Sequence, residues 1–214
     1  MNTTAAVLWT GGKDCALAYL KAQQAGYNIT HLVTFTPKNP DFKAHPIHLI
    51  KKQVASIGIT HQFITVEAPI KESYENAILS LKDNNGIHTL VTGDIDEVDG
   101  HSNWIEECSK KSGMQVFNPL WKKDRKFLLE ELLNNHFTLI FSLVKKEFFE
   151  RKWVGKQLNS TTISDLQKLN IDICGENGEY HTMVLNTPFF QHKVTVDTSE
   201  IEENEHFYYI KRTR

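Results

Sequence analysis

The chain has 214 residues, 40% hydrophobic and 23% charged, with a formal net charge of -2 and a pI near 6.5. No apolar run approaches the roughly eighteen residues of a membrane span, and residues 1–30 lack the features of a secretory signal. The near-neutral charge argues against a general nucleic-acid-binding surface. We therefore expect a cytoplasmic protein with a small-molecule partner and no membrane partner.

The three cysteines, Cys15, Cys108 and Cys174, form no CxxC pair and no set with metal-ligand spacing. This spacing indicates neither a disulfide framework nor a zinc site. A reducing compartment is the expected environment.

The first part of the chain alternates short apolar runs with segments of helical periodicity. Residues 5–9 are an apolar run that ends at a glycine pair, and residues 14–24 then carry apolar side chains at helical spacing. Further strands are predicted at 29–35, 62–66, 88–92 and 114–117, and further helices at 48–56, 72–81 and 103–111. This alternation predicts a mainly parallel sheet that binds ligands at the carboxyl ends of its strands.

The alternation changes after Asn118-Pro119-Leu120-Trp121, which predicts a domain boundary. Beyond it we predict helices at 125–134, capped by Asp124, and at 163–169, and strands at 138–144, 183–185 and 193–196. The residues after Thr198 are acidic and then basic, which predicts an exposed terminal segment. The expected organisation is a domain of residues 1–118 followed by a smaller α+β lobe of residues 119–214.

A phosphate-binding loop is predicted between the first strand and the first helix, at Thr10-Gly11-Gly12-Lys13-Asp14-Cys15. Two glycines permit a tight turn that brings N–H groups together, and the helix offers its positive end. Thr10 adds a hydroxyl, Lys13 a mobile charge, and Asp14 a carboxylate in the first helical turn. The kinase-type and dinucleotide-type glycine patterns are both absent. A plain turn is the alternative, and the position after the first strand favours the anion site.

Two other segments carry polar groups suited to binding or catalysis. In Gly93-Asp94-Ile95, which follows a predicted strand, the carboxylate can accept from a ribose, an amino group or hydrated Mg²⁺. In Cys174-Gly175-Glu176-Asn177-Gly178-Glu179-Tyr180-His181-Thr182, two carboxylates precede aromatic, imidazole and hydroxyl groups. By composition alone, a solvated hairpin turn is the favoured explanation of the second segment.

The first loop resembles the Ser-Gly-Gly-x-Asp-Ser loop of the PP-loop ATP pyrophosphatases, in the adenine nucleotide α-hydrolase-like superfamily. Thr10 keeps the hydroxyl of the family's serine, whereas Cys15 replaces a strong hydrogen-bond donor with a weak thiol. We interpret Cys15 as a loop contact and not as a reactive nucleophile.

Within that group, the chain resembles the diphthine-ammonia ligase family over nearly its whole length. The resemblance is carried by the first loop, Gly93-Asp94-Ile95, Pro119-Leu120-Trp121, Trp153-Val154-Gly155 and Cys174 to Thr182. His45 and residues 53–59 also resemble that family's second helix region. Asn177 stands where glycine is common in the family, and His181 stands where an acidic residue is common.

The resemblance implies a Rossmann-like (HUP) α/β sheet, a smaller α+β lobe, and an ATP-dependent amide-forming ligase. A substrate carboxylate would attack the α-phosphorus of ATP, pyrophosphate would leave with Mg²⁺, and ammonia would displace AMP. The implied catalytic residues are Lys13, Glu176 and Glu179, and no metal ligand is assigned. The implied nucleotide-binding residues are Thr10, Gly11, Gly12, Lys13, Asp14, Cys15, Gly93 and Asp94.

The implied substrate is diphthine, a modified histidine on elongation factor 2, and a different carboxylate substrate stays open. Two rival hypotheses are a tRNA-modifying PP-loop enzyme and a non-catalytic ATP-binding regulatory module. The absence of a CxxC pair and of basic charge counts against the tRNA-modifying enzyme. Lys13 and the Glu-rich segment count against the regulatory module, whereas Cys15 keeps that alternative open. The oligomeric state stays open, with a homodimer as one option.

Overall fold

The computed structural model describes residues 3–97 and 103–211. Its internal contacts divide the chain into two compact units. The first unit comprises Met1–Thr10, Asp14–Asp41 and Ile59–Lys122, and the second comprises Gly11–Lys13, Phe42–Gly58 and Lys123–Arg214. Two segments of the predicted first domain, Gly11–Lys13 and Phe42–Gly58, thus group by their contacts with the second unit.

The elements alternate as predicted over the first part of the chain. The described strands are β1 (Thr4–Leu8), β2 (Asn28–Thr36), β3 (Thr60–Thr65), β4 (Thr89–Val91), β5 (Gln115–Phe117), β6 (Thr138–Lys145), β7 (Tyr180–Asn186), β8 (Ile201–Glu203) and β9 (Phe207–Ile210). The described helices are α1 (Lys13–Gln24), α2 (Ile47–Ile57), α3 (Ile70–Asn85), α4 (Trp104–Ser109), α5 (Arg125–Asn134) and α6 (Ser160–Leu166), with a 3-10 turn at Arg151–Trp153.

The first unit is built on a five-stranded parallel sheet in the order β3-β2-β1-β4-β5. The central strand β1 carries Ala5, Ala6 and Val7, all fully buried, because both faces of a parallel sheet are covered. The chain runs outward from β1 through β2 to β3 and then returns to place β4 on the other side of β1. This reversal of strand order marks the carboxyl ends of β1 and β4 as the place where such sheets bind ligands. The α/β fold class is confirmed.

The second unit is built on a four-stranded antiparallel sheet in the order β7-β6-β9-β8. Its core includes buried aromatic rings that meet edge to face. The centroid of Phe141 lies 4.9 Å from that of Tyr180 and 5.2 Å from that of Trp153. Such pairs add roughly 0.5–1.5 kcal/mol beyond the area they bury. The smaller α+β lobe predicted for the C-terminal part is therefore present.

Two predictions for the C-terminal part were wrong, and a third was displaced. Residues 193–196 form no strand, although their β-branched residues favour one. The segment after Thr198 is not merely exposed, because it forms β8 and β9, and β9 pairs with β6. Helix α6 begins earlier than predicted, since Asn159 forms a capping box with Thr162.

No helix within residues 3–97 and 103–211 has the length and apolar composition needed to cross a bilayer.

The buried end of β9 provides a test of the C-terminal sheet. We expect Ile210→Ala to lower the free energy of unfolding by about 2–5 kcal/mol, because Ile210 is fully buried and its truncation leaves a cavity. Glu205→Ala, at an exposed position in the same segment, should change it by less than about 0.5 kcal/mol. Urea unfolding of both variants measures the difference, and equal small effects would mean that β9 does not stabilise the sheet.

Candidate active site

In the first unit, the loop after β4 packs directly against the start of α1. A Cβ atom placed on Gly93 would lie 2.6 Å from the carbonyl carbon of Asp14 and 2.7 Å from the amide nitrogen of Cys15. Both are backbone atoms that cannot move aside easily. Only glycine therefore permits this approach, which holds two of the predicted nucleotide-binding segments together.

Asp94 is fixed by two hydrogen bonds to the same carboxylate oxygen. Oδ2 accepts from the hydroxyl of Thr92 at 2.8 Å and from the side-chain amide of Asn103 at 2.7 Å. Asn103 also caps α4, where its side chain accepts from the amide of Glu106 at 2.9 Å. Asn103 was not predicted as a site residue, although an Asn before a predicted helix is a typical cap. It ties the orientation of Asp94 to the beginning of α4.

Thr10 and Cys15 contact each other across the turn after β1. The hydroxyl of exposed Thr10 donates to Sγ of Cys15 at 3.7 Å, and Cys15 is only 6% exposed. The thiol of Cys15 thus faces a loop hydroxyl and not solvent. The role of Cys15 as a loop contact in the nucleotide site stays a prediction.

In the second unit, Gly11 is held by α2 and β7. Its carbonyl oxygen accepts from the side-chain amide of Gln53 and from the backbone amide of Val184, both at 2.9 Å. The same amide nitrogen of Gln53 donates to the carbonyl of Val184 at 2.7 Å. A Cβ on Gly11, whose φ is +82°, would lie 2.2 Å from Oε1 of Gln53. Gln53 is fully buried and was not predicted as a site residue.

Lys13 lies against the Glu-rich segment that precedes and begins β7. Its backbone amide donates to the hydroxyl of Thr182 at 3.1 Å. Its Nζ is 3.9 Å from Oε1 of Glu176 and 5.7 Å from the ring centroid of Tyr180. Lys13 is 4% exposed, so its charge interacts in a poorly hydrated setting. Two motifs 169 residues apart in sequence therefore meet at Lys13.

The two predicted catalytic carboxylates differ sharply in their surroundings. Glu179 is 3% exposed, and its oxygens accept from the backbone amides of Asp172 and Asn177, both at 2.9 Å, and from the Asn177 side chain at 3.1 Å. The side chain of Glu176 is 26% exposed and faces Lys13. Glu179 thus closes the turn that presents Glu176.

His45 and His181 form an edge-to-face pair, with ring centroids 5.3 Å apart. Burial, together with His181 and the charge of Lys13, lowers the pKa of His45 to about 3. Burial and then Lys13 lower the pKa of His181 to about 4, although Glu179 acts in the opposite direction. Both imidazoles are therefore uncharged at neutral pH.

The predicted site residues fall into both units. Thr10, Asp14, Cys15, Gly93 and Asp94 belong to the first unit, and Gly11, Gly12, Lys13, Glu176 and Glu179 belong to the second. Within residues 3–97 and 103–211, no group of three or more His, Cys, Asp or Glu side chains has the arrangement of a metal site.

Comparison with known families identifies the class of protein. Residues 3–116 match the family described as the diphthamide synthase N-terminal domain. Residues 124–214 match the diphthamide synthase C-terminal domain. The chain belongs to the diphthamide synthase family, and the predicted resemblance is confirmed.

Several curated relatives are named diphthine–ammonia ligase. The relative from Bos taurus is 24% identical over 225 residues, which cover 92% of this chain and 84% of the relative. The relative from Danio rerio is 23% identical over 222 residues, which cover 90% of this chain and 86% of the relative. The relative from Saccharomyces cerevisiae is 32% identical over 107 residues, which cover 41% of this chain and 16% of the relative.

One similar solved structure comes from Methanocaldococcus jannaschii and is described as a predicted subunit of tRNA methyltransferase. The match covers 87% of this chain and 98% of the chain in that structure. Its TM-score is 0.49 at 21% identity, a similarity that bears on neither fold nor function.

The lowered pKa values of His45 and His181 predict that the fold loses stability in acid. Their lowered folded pKa values mean that the unfolded chain takes up protons below its ordinary histidine pKa of about 6.5, while the folded chain does not. The free energy of unfolding should therefore fall as the pH drops from about 6.5 towards about 4.

Urea unfolding at about pH 7 and about pH 5 measures this loss, with the double variant His45→Gln/His181→Gln as comparison. The variant should lose less stability between the two pH values than the wild type. Equal losses would mean that the two imidazoles titrate alike in the folded and unfolded chains.

Proposed function

We propose that this protein is an ATP-dependent amide-forming ligase that adenylates a carboxylate, releases pyrophosphate and transfers ammonia to the acyl group. Membership in the diphthamide synthase family supports the class of reaction, because the curated relatives are named diphthine–ammonia ligases. ATP, ammonia and a carboxylate are the proposed substrates. The carboxylate of diphthine on elongation factor 2 is the first candidate.

The proposal depends most on the contact between Lys13 and the Glu-rich segment. A buried lysine that follows two glycines and faces a carboxylate combines a phosphate-binding charge with a group able to act at the acyl carbon. An adenylating reaction needs both the phosphate-binding charge and the group that acts at the acyl carbon. A purely nucleotide-binding module has no need for the carboxylate.

We propose that residues 1–118 supply most of the ATP site and that residues 119–214 supply the acyl-acceptor site. Thr10, Gly11, Gly12, Asp14, Cys15 and Gly93 would form the nucleotide-binding loops, and Asp94 would bind the ribose or the metal. A single carboxylate fits Mg²⁺, which commonly binds one or two protein carboxylates together with phosphates and water. When bound, Mg²⁺ would neutralise charge on the phosphate oxygens.

In the first proposed step, a carboxylate oxygen of the substrate attacks the α-phosphorus of ATP, and the bond to the bridging oxygen of pyrophosphate breaks. Lys13 would stabilise the negative charge that develops on the leaving pyrophosphate. In the second step, the nitrogen of ammonia attacks the acyl carbon, the bond to AMP breaks, and the nitrogen loses a proton. The products are an amide, AMP and pyrophosphate.

The two glutamates would divide this work. Glu176, partly exposed and beside Lys13, would act at the acyl carbon, where it binds the nitrogen nucleophile or accepts its proton. Glu179 would act through the turn, because its oxygens already accept hydrogen bonds from Asp172 and Asn177. Glu179 is thus a positioning residue in this proposal.

The test incubates the protein with Mg-ATP, ammonium and candidate carboxylates, with diphthine-bearing elongation factor 2 among them, and identifies the nucleotide product. AMP with pyrophosphate is expected. Lys13→Ala should reduce turnover by a factor of about 100 or more, because it removes a transition-state charge contact. Lys38→Ala, at an exposed position of the first unit, should leave turnover unchanged.

Glu176→Gln should lower kcat and leave ATP affinity unchanged. Glu179→Gln should also leave ATP affinity unchanged, but it should lower the protection from hydrogen exchange of the backbone amides of Asp172 and Asn177. ADP with phosphate, or ATP binding without turnover on every carboxylate, would contradict the proposed reaction. Loss of ATP binding in both glutamate variants would contradict the division of roles.

A further inference from the structure

A buried nitrogen beside Lys13 is not used by the proposed reaction. Among the residues that the structure describes, Nδ1 of His45 is buried and has no hydrogen-bond partner. A buried polar atom left unpaired costs roughly 1–3 kcal/mol, so such atoms commonly pair with water or ligand. The unpaired Nδ1 of His45 therefore lacks a hydrogen bond that a bound molecule can supply.

The surroundings of the imidazole pair favour an anion. Both rings are close enough to Lys13 for its positive charge to oppose their protonation. His45 also lies next to Pro46, where α2 begins, and no side chain caps that helix. The first turn of an eleven-residue helix offers N–H groups and the positive end of its dipole.

The carboxylates nearby do not cancel this preference. Glu179 is the acidic group that acts on His181, and its charge is already satisfied by three N–H donors of its own turn. Nζ of Lys13 and Oε1 of Glu176 are 3.9 Å apart, farther than the roughly 2.7–2.9 Å of a charge-assisted hydrogen bond. An incoming anion can therefore replace Glu176 at Lys13.

We propose that His45 and His181, together with the N-terminus of α2, bind phosphate oxygens of the nucleotide beside Lys13. This inference rests on the proposed role of Lys13 in binding the phosphates of ATP. Lys13 by itself supplies a single positive charge, whereas the leaving pyrophosphate carries several negative charges. The two imidazoles would add hydrogen-bond donors, and at least one of them would gain a proton as the anion replaces solvent.

The probe is inorganic pyrophosphate, titrated into the full chain by calorimetry in buffers of different ionisation enthalpy. Binding should be accompanied by proton uptake near neutral pH, and the pKa of His45 or His181, followed by its ring Cε1–H NMR signal, should rise. His61 is the matched control, because burial lowers its pKa to about 4 as well but it lies in the first unit. Its titration should not change.

In variants, His45→Gln and His181→Gln should each weaken pyrophosphate binding roughly tenfold to hundredfold, the cost of losing a hydrogen bond to a charged group. Both should reduce proton uptake, and His61→Gln should do neither. Pyrophosphate binding with unchanged histidine titration, or with unchanged affinity in both variants, would overturn the inference.

The outcome is separable from that of the proposed function. If pyrophosphate does not bind but ATP yields AMP, the phosphate role of the histidines is overturned while the ligase proposal stands. If pyrophosphate binds with proton uptake but no carboxylate yields AMP, the histidine pair is supported and the ligase proposal fails.

Discussion

The carbonyl oxygen of Gly11 accepts two hydrogen bonds, one from the side chain of Gln53 and one from the backbone of Val184. These bonds place the glycine pair and Lys13 against β7. Since Gln53 also donates to Val184, one buried amide joins α2, β7 and the loop. Everything proposed for Lys13 depends on this arrangement, because it sets where the lysine side chain begins.

The turn before β7 positions the carboxylate that faces Lys13. Glu179 closes the turn through N–H donors at Asp172 and Asn177, which leaves Glu176 as the partly exposed carboxylate next to Lys13. The imidazoles of His45 and His181 remain uncharged beside the same lysine. A positive charge, a carboxylate and two neutral rings thus lie together in the second unit.

The sequence predicted the parallel sheet well, because apolar periodicity and glycine punctuation are local. The same reasoning failed at 193–196, where β-branched residues outside the sheet look like a strand, and at β9, where flanking charges obscured a buried Ile210. Gln53 lies in the segment 53–59 that resembles the family, but its pattern alone shows only a polar residue on the apolar face of a helix. Which of the two glutamates closes the turn depends on hydrogen bonds that local sequence does not encode.

The contacts of Gly11 and Lys13 with β7 are tested most directly by amide hydrogen exchange at Lys13 and Val184 in the wild type and in Gln53→Leu. Both amides should exchange slowly in the wild type, since they donate to Thr182 and to Gly11. Gln53→Leu should speed both, because it removes the amide that joins the loop to β7. Exchange in the wild type as fast as at an exposed position such as Glu205, or no change in the variant, would contradict the account.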